Sequence, residues 1–392
     1  MAIQTQADLI KKFPPYLFAI LNAEKLAARK KGVDVIDFGM GNPDSPTPAP
    51  IVNKLIEVVQ DKKAHRYSTS KGIPPFLKAV SRWYERKYGV TIDPKTEAVS
   101  VIGSKEGLAH LALAVINRGD KVLVPNPTYP IHHYSVIIAG GELVHIPILD
   151  GTEAFMRHLD KAYAKSRPKP KILIINFPHN PTTISVEPEF FKDIVKWAKK
   201  NQVMVVHDLA YADIVFDGYK SPSFLATKGA KDIGVEIFTM SKSYNMAGWR
   251  IGFAAGNPKV IASLAKIKSY MDYGIFTPIQ VAAITALDSP EENLRKLAAV
   301  YEERRNIMVD GMNKMGWPIE KPRAAMYLWA KIPDKYKKMK AIDFAIKLLK
   351  EAEVAVSPGT GFGSLGEGYV RMALVENKDR IRQALRNMKK LF

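Results

Sequence analysis

The chain of 392 residues contains no cysteine, which removes disulfides, thiolate metal sites and cysteine nucleophiles from consideration. It has no apolar run long enough to cross a bilayer, and its first residues lack the basic-then-apolar order of a secretory leader. A cytoplasmic location without a membrane partner is expected. Acidic residues are the scarcer charge, 39 against 58 lysines and arginines, for a net charge of +19. Such a balance raises nucleic acid as a partner. The bases, however, are scattered in short runs such as Lys199-Lys200 and Lys389-Lys390, without interleaved aromatics. Solvated helix faces account for them, and no nucleic-acid partner is expected. Internal repeats and low-complexity linkers are also missing.

What is present is an alternation. Between about residues 97 and 270, short β-branched runs at 99–102, 121–124, 143–148, 171–176, 203–206, 235–238 and 251–255 are separated by helical patterns. Near-continuous apolar strands spaced by helices predict a mostly parallel sheet covered on both faces. The last third differs: a long charged helix over 290–316, strands near 326–332 and 369–374, and helices over 341–352 and at the end. The expected fold is α/β, a large domain with a mostly parallel seven-stranded sheet between helices. A smaller α+β domain is formed by the N-terminal segment and the C-terminal third. The expected limits are 1–45 joining the small domain, 46–288 for the large one and 289–392 for the rest.

Ligands of open α/β sheets bind beyond the carboxyl ends of the strands, so the residues after each strand carry the functional argument. Gly103-Ser104-Lys105 opens a helix, a natural phosphate seat. Asn180 follows the fourth run, Asp208 and Tyr211 the fifth, and Ser241, Lys242 and Arg250 the sixth. One ligand could engage all of them. It would offer a phosphate to Gly103–Lys105, Ser241 and Arg250, and a carbonyl to Lys242. A ring nitrogen would face Asp208, and a phenolic oxygen would face Asn180 and Tyr211. Pyridoxal 5′-phosphate has these four features, and a lysine forms the Schiff base its chemistry requires.

The pieces Ser241-Lys242-Ser243-Tyr244-Asn245-Met246-Ala247-Gly248-Trp249-Arg250-Ile251-Gly252, Asn180-Pro181-Thr182, and Asp208 with Tyr211 also carry a resemblance. Over essentially its whole length the chain resembles the fold-type I, pyridoxal-phosphate-dependent aminotransferases of the class I/II group. The resemblance implies that Lys242 holds the cofactor and later moves the proton, and that Asp208 pairs with the ring nitrogen. Asn180 and Tyr211 would bond the phenolic oxygen, and Tyr129 would stack on the ring. Ser104, Lys105, Ser241 and Arg250 would surround the phosphate, joined by Tyr67 of a neighbouring subunit, so a homodimer with shared active sites is implied. Arg371 would fork onto the substrate α-carboxylate, with Gly41, Asn42, Asn180 and Tyr16 near the substrate. Gly248 and Gly252 would let the backbone pass close by.

Each assignment has a plainer rival. Lys242 could be one more surface lysine, Asp208 a helix N-cap, Tyr129 a core aromatic and Arg371 a solvated strand residue. Gly361-Phe362-Gly363-Ser364-Leu365-Gly366 matches a dinucleotide fingerprint but precedes a strand, the wrong context. It is expected to be a flexible loop delivering Arg371. His132-His133 could suggest a metal, but adjacent histidines diverge and no third ligand is evident, so no metal is expected. They are expected to line a helix near the site.

The implied reaction is ping-pong transamination between amino-acid and 2-oxo-acid substrates. The details around Tyr16, Gly103–His110 and Ser357–Gly363 look most like the bacterial alanine (glutamate–pyruvate) branch. Aspartate and LL-diaminopimelate aminotransferases, or a lyase on the same scaffold, are the alternatives. A non-catalytic regulator is a further one, which salt-dependent DNA binding would reveal.

Overall fold

The computed structural model describes every residue except Met1, Ala2, Gln4, Lys12, Pro14, Pro15 and Tyr16. The expectation for Tyr16 therefore lies outside the described residues. Among the described residues twelve strands follow in chain order: β1 (Ile36–Asp37), β2 (Ala98–Val101), β3 (Lys121–Asn126), β4 (Glu142–Pro147), β5 (Ile172–Asn176), β6 (Met204–Asp208), β7 (Gly234–Thr239), β8 (Gly252–Gly256), β9 (Tyr327–Lys331), β10 (Val354–Ala355), β11 (Ser357–Pro358) and β12 (Tyr369–Ala373). They belong to two compact units. One comprises 42–303 with 322–326; the other comprises the residues up to 41, 304–321 and 327–392. The expected limits were 45/46 and 288/289. The second division falls instead inside the helix Glu291–Lys314, whose uninterrupted helical pattern leaves no break for sequence reading to find.

The larger unit holds the seven-stranded sheet in the order β2-β8-β7-β6-β5-β3-β4. Neighbours from β4 through β7 are parallel, and β8 runs antiparallel to both β7 and β2. Alternation along each strand divides the core. Leu173, Ile175, Val205 and Phe238 enter a cluster with Phe76, Trp83, Phe191 and Trp197. Ile172, Ile174, Val206, Val235 and Ile237 enter another with Leu108, Leu111, Ile261 and Leu264. Both faces are therefore apolar, which is why the strands read as continuous hydrophobic runs rather than alternating ones. Helices enter this sheet cleanly because proline occupies the first turn of Pro130–Ile138, Pro188–Asn201 and Pro258–Met271. There its missing N–H costs nothing and its fixed φ is already helical.

In the smaller unit β11, β12 and β9 form an antiparallel sheet, and β1 pairs with β10 in parallel. The glycine-rich segment before β12 is not an open loop. It folds into 3₁₀ turns at Gly359–Phe362 and Ser364–Gly366, with Phe362 buried. A Cβ on Gly359 would strike the Gly366 carbonyl, so small residues here serve close backbone packing.

Candidate active site

The parallel register brings Asn176 at the end of β5 level with Asp208 at the end of β6. No helix starts at Asp208, where the chain passes into a turn over 210–213, so its N-cap alternative falls away. Asn176 Nδ2 donates to the Asp208 carbonyl (2.6 Å), and Asn176 Oδ1 accepts from the Asn180 N–H (2.9 Å). Asn180 Nδ2 in turn donates to the Tyr211 hydroxyl at 3.1 Å. Asn180, Asp208 and Tyr211 are all buried. Side chains from two strand ends and their loops are thereby locked together.

The Asp208 carboxylate is held on one side only. Oδ2 lies 3.1 Å from His132 Nε2, whose Nδ1 meets Thr128 Oγ1 at 2.7 Å. Oδ1 is buried with no hydrogen-bond partner. A buried carboxylate oxygen left unmatched is costly unless a donor completes it, and a protonated ring nitrogen is such a donor. Nearby, burial and, after it, the His132 charge push His179 down to about 3, so the Asn180 loop carries no imidazolium at neutral pH. Tyr129 caps the helix Pro130–Ile138 and meets the His132 ring edge-on at 6.0 Å.

At the other end the helix Ser104–Val115 starts with no side-chain cap, and Gly103 before it adopts φ 75°. A Cβ there would lie 2.5 Å from Arg250 Nη2, so glycine leaves space for the guanidinium as well as permitting the turn. Arg250, itself at φ 55°, donates from Nη1 to the Ala247 carbonyl (2.9 Å) and from Nη2 to the Ile102 carbonyl (3.3 Å). An uncapped helix start beside an exposed guanidinium is an anion seat. Ser104 is half-buried and Lys105 exposed.

Thr239, at the end of β7, accepts from the Ser241 N–H (3.3 Å) and donates to Ser241 Oγ (2.9 Å), starting the single helical turn Met240–Ser243. That turn carries Lys242, half-buried rather than extended into solvent. A Cβ on Gly252 would strike the Phe238 carbonyl of the neighbouring strand, whereas Gly248 has open space around it.

In the smaller unit Arg371 on β12 is buried, its guanidinium 4.1 Å from the Tyr327 ring and 4.4 Å from the Phe362 ring. Its Nη2 donates to the Gly39 carbonyl at 3.2 Å, which Ser357 Oγ also reaches at 2.6 Å. A Cβ on Gly41 would collide with Tyr327. Arg371 is thus a built-in side chain, not a solvated strand residue. Asn42 is exposed on the larger unit. Tyr67 is 88% exposed, its ring 4.9 Å from that of Tyr273.

Sequence reading placed His132 on a helix near the site without pairing it with Asp208, and it missed Thr128, Asn176 and Thr239. The spacing Thr128-x-x-x-His132 across a helix start was the available signal. His133 diverges from its neighbour as expected, meeting the Pro125 carbonyl at 3.2 Å. Of the metal-ligating residue types, Glu106, His110 and Asp272 cluster among the described residues, but the buried Lys268 ammonium bonds both carboxylates.

An unmatched buried carboxylate, a half-buried lysine at a strand end and an anion seat lie on one α/β unit, groups that suit a phosphorylated heteroaromatic carbonyl. The profile of the family described as aminotransferase class I and II matches residues 33–387. The chain belongs to that family and is a pyridoxal-5′-phosphate-dependent transaminase. It is 55% identical to the glutamate-pyruvate aminotransferase AlaC of Escherichia coli, covering 98% of this chain and 93% of that one. It is 42% identical to the LL-diaminopimelate aminotransferase of Moorella thermoacetica, covering 99% and 98%. Among solved structures, substrate-bound BacF from Bacillus subtilis superposes with a TM-score of 0.92 at 33% identity, covering 99% and 98%. Among the described residues no helix is long and apolar enough to cross a membrane.

Proposed function

We propose that the protein moves amino groups between alanine or glutamate and the 2-oxo acids pyruvate and 2-oxoglutarate in a ping-pong cycle. The observation that carries the chemistry is Asp208 Oδ1, buried and unmatched where a ring nitrogen would complete it. The choice of substrate rests on the 55% identity to AlaC over nearly the whole chain, against 42% to the LL-diaminopimelate enzyme.

When bound, the cofactor supplies a carbonyl for imine exchange and a ring that accepts an electron pair. The chain's residues do the rest. Lys242 Nζ holds the cofactor and, once released and neutral, carries the proton from the substrate Cα. Asp208 Oδ1 keeps the ring nitrogen protonated. Asn180 and Tyr211 donate to the phenolic oxygen, and Tyr129 covers the ring face. Ser104, Lys105, Ser241 and Arg250 take the phosphate. Arg371 forks onto the substrate α-carboxylate, with Gly41 and Asn42 nearby.

A homodimer with shared sites belongs to the same reading. It is supported by the exposure of Tyr67 and Tyr273, 88% and 69%, whose rings lie 4.9 Å apart, a pair suited to burial against a second copy. Sedimentation of the purified protein tests it. A cytoplasmic location is also proposed, and cell fractionation tests it.

The deciding experiment is a panel of amino donors against pyruvate and 2-oxoglutarate. Alanine with 2-oxoglutarate and glutamate with pyruvate should give the highest kcat/KM. A preference for aspartate or LL-diaminopimelate would reassign the substrate. Release of ammonia and pyruvate without consumption of an acceptor would reassign the reaction to a lyase.

A further inference from the structure

Strand alternation places two charged-type residues on the sheet face opposite to Asp208. His207 precedes Asp208 on β6, and Glu236 lies on the adjacent strand β7; both are wholly buried. Their surroundings are aromatic, with the His207 ring 5.0 Å from Phe191 and 6.4 Å from Phe224. A carboxylate in such a place needs several donors, and Glu236 has four. Oε1 accepts from Tyr84 OH (3.0 Å) and Ser223 Oγ (2.7 Å). Oε2 accepts from the Phe224 N–H (2.8 Å) and lies 2.8 Å from His207 Nδ1. Burial and the Glu236 charge raise the Tyr84 hydroxyl well above its ordinary range, so it stays a donor.

Glu236 serves as an acceptor for all its other partners, so the bond to His207 places the imidazole proton on Nδ1. His207 Nε2 lies 3.2 Å from both the Phe177 N–H and the Phe177 carbonyl, and with the proton on Nδ1 it accepts from the N–H. This bond falls at a decisive point. The ladder between β5 and β6 ends with the pair Asn176 and Asp208, so Phe177 is the first residue beyond it. Its N–H would otherwise be an orphan donor in an apolar core. The imidazole therefore settles where the chain leaves the sheet, three residues before Asn180. From the other face, Asn176 ties that departure to the Asp208 carbonyl and the Asn180 N–H.

We propose that His207 and Glu236 are positioning residues of the transaminase: the carboxylate sets the imidazole tautomer, and the imidazole seats the Phe177–Asn180 segment against Asp208. This rests on the assignment of Asn180 and Asp208 to the cofactor ring. Both lie on the sheet face opposite to Asp208. They act through the strand end, as supporting groups that hold a site in register.

The test uses the holoenzyme and reads the pH midpoint of its visible cofactor absorbance, cofactor affinity, kcat and Tm. His207→Asn keeps a donor for Glu236 but is too short to accept from the Phe177 N–H. His207→Gln places an amide oxygen near the lost Nε2. The Asn variant should raise the midpoint and lower kcat roughly tenfold to a hundredfold, as a displaced Asn180 would. The Gln variant should return kcat to within about threefold of wild type and the midpoint to its wild-type position, whatever its Tm. Equal effects of Asn and Gln would overturn the assignment, because packing alone would then explain them. So would an unmoved midpoint and kcat in His207→Asn. Should that variant fail to fold, Glu236→Gln carries the test, and a wild-type midpoint and kcat there overturns the assignment. A wild-type protein that gains no visible absorbance with pyridoxal phosphate would instead sink the assignment of the cofactor residues.

Discussion

The two ends of the cofactor seat are built in opposite ways. At the proposed ring end Asp208, Asn180, Tyr211 and His132 are buried, and specific side-chain hydrogen bonds hold them. At the proposed phosphate end Lys105 and Arg250 are exposed, and much of the seat is backbone: a helix start, the Gly103 turn and two carbonyls steadying Arg250. A buried end needs geometry and suits chemistry that depends on one protonated nitrogen. An open, cationic end suits capture and release of a charged group, at strengths that salt and competing anions alter.

By that contrast, damage at the ring end should appear in kcat and damage at the phosphate end in cofactor affinity. Lys242→Ala should have the largest effect, abolishing both turnover and the visible absorbance of the bound cofactor; wild-type rates with alanine and 2-oxoglutarate would break the scheme. Asp208→Asn removes the charge on the ring nitrogen and should lower kcat by about 10²–10³ with saturating cofactor, the scale seen when a preorganised electrostatic partner is lost. Arg250→Ala should weaken cofactor binding by roughly 10–100-fold, the loss of charge-assisted bonds to phosphate, while kcat at saturation stays near wild type. Inorganic phosphate, which would use the same contacts, should lose affinity by a similar factor, which equilibrium dialysis measures. Tyr211→Phe should be mildest. It removes one donor to the phenolic oxygen, so the pH midpoint of the absorbance should rise while kcat falls less than in Asp208→Asn. A midpoint that stays put, read by spectrophotometric titration, would detach Tyr211 from that oxygen.

The same contrast governs what could be read in advance. The phosphate end is largely local: Gly103-Ser104-Lys105 and Ser241 to Arg250 sit in short segments whose turn chemistry is visible in residue type. The residues of the ring end were legible as polar groups after strands, but their partners were not. His132 lies 76 positions from Asp208, and His207 reaches Glu236 across 29. All seven strands of the large sheet coincide with apolar runs. The antiparallel course of β8 was not foreseen, because hydrophobic periodicity carries no strand direction.

By itself the sequence determined the two-faced sheet, the helix entries and the chemical groups available after each strand. These follow from side-chain polarity, proline and glycine acting within a few residues of themselves. Only the tertiary structure decided which oxygen of Asp208 is occupied and which is open, that Arg371 is buried between two rings, and that a histidine–glutamate pair stands behind the strand ends. Such facts depend on strand order and register, which bring distant residues to the same level of the sheet.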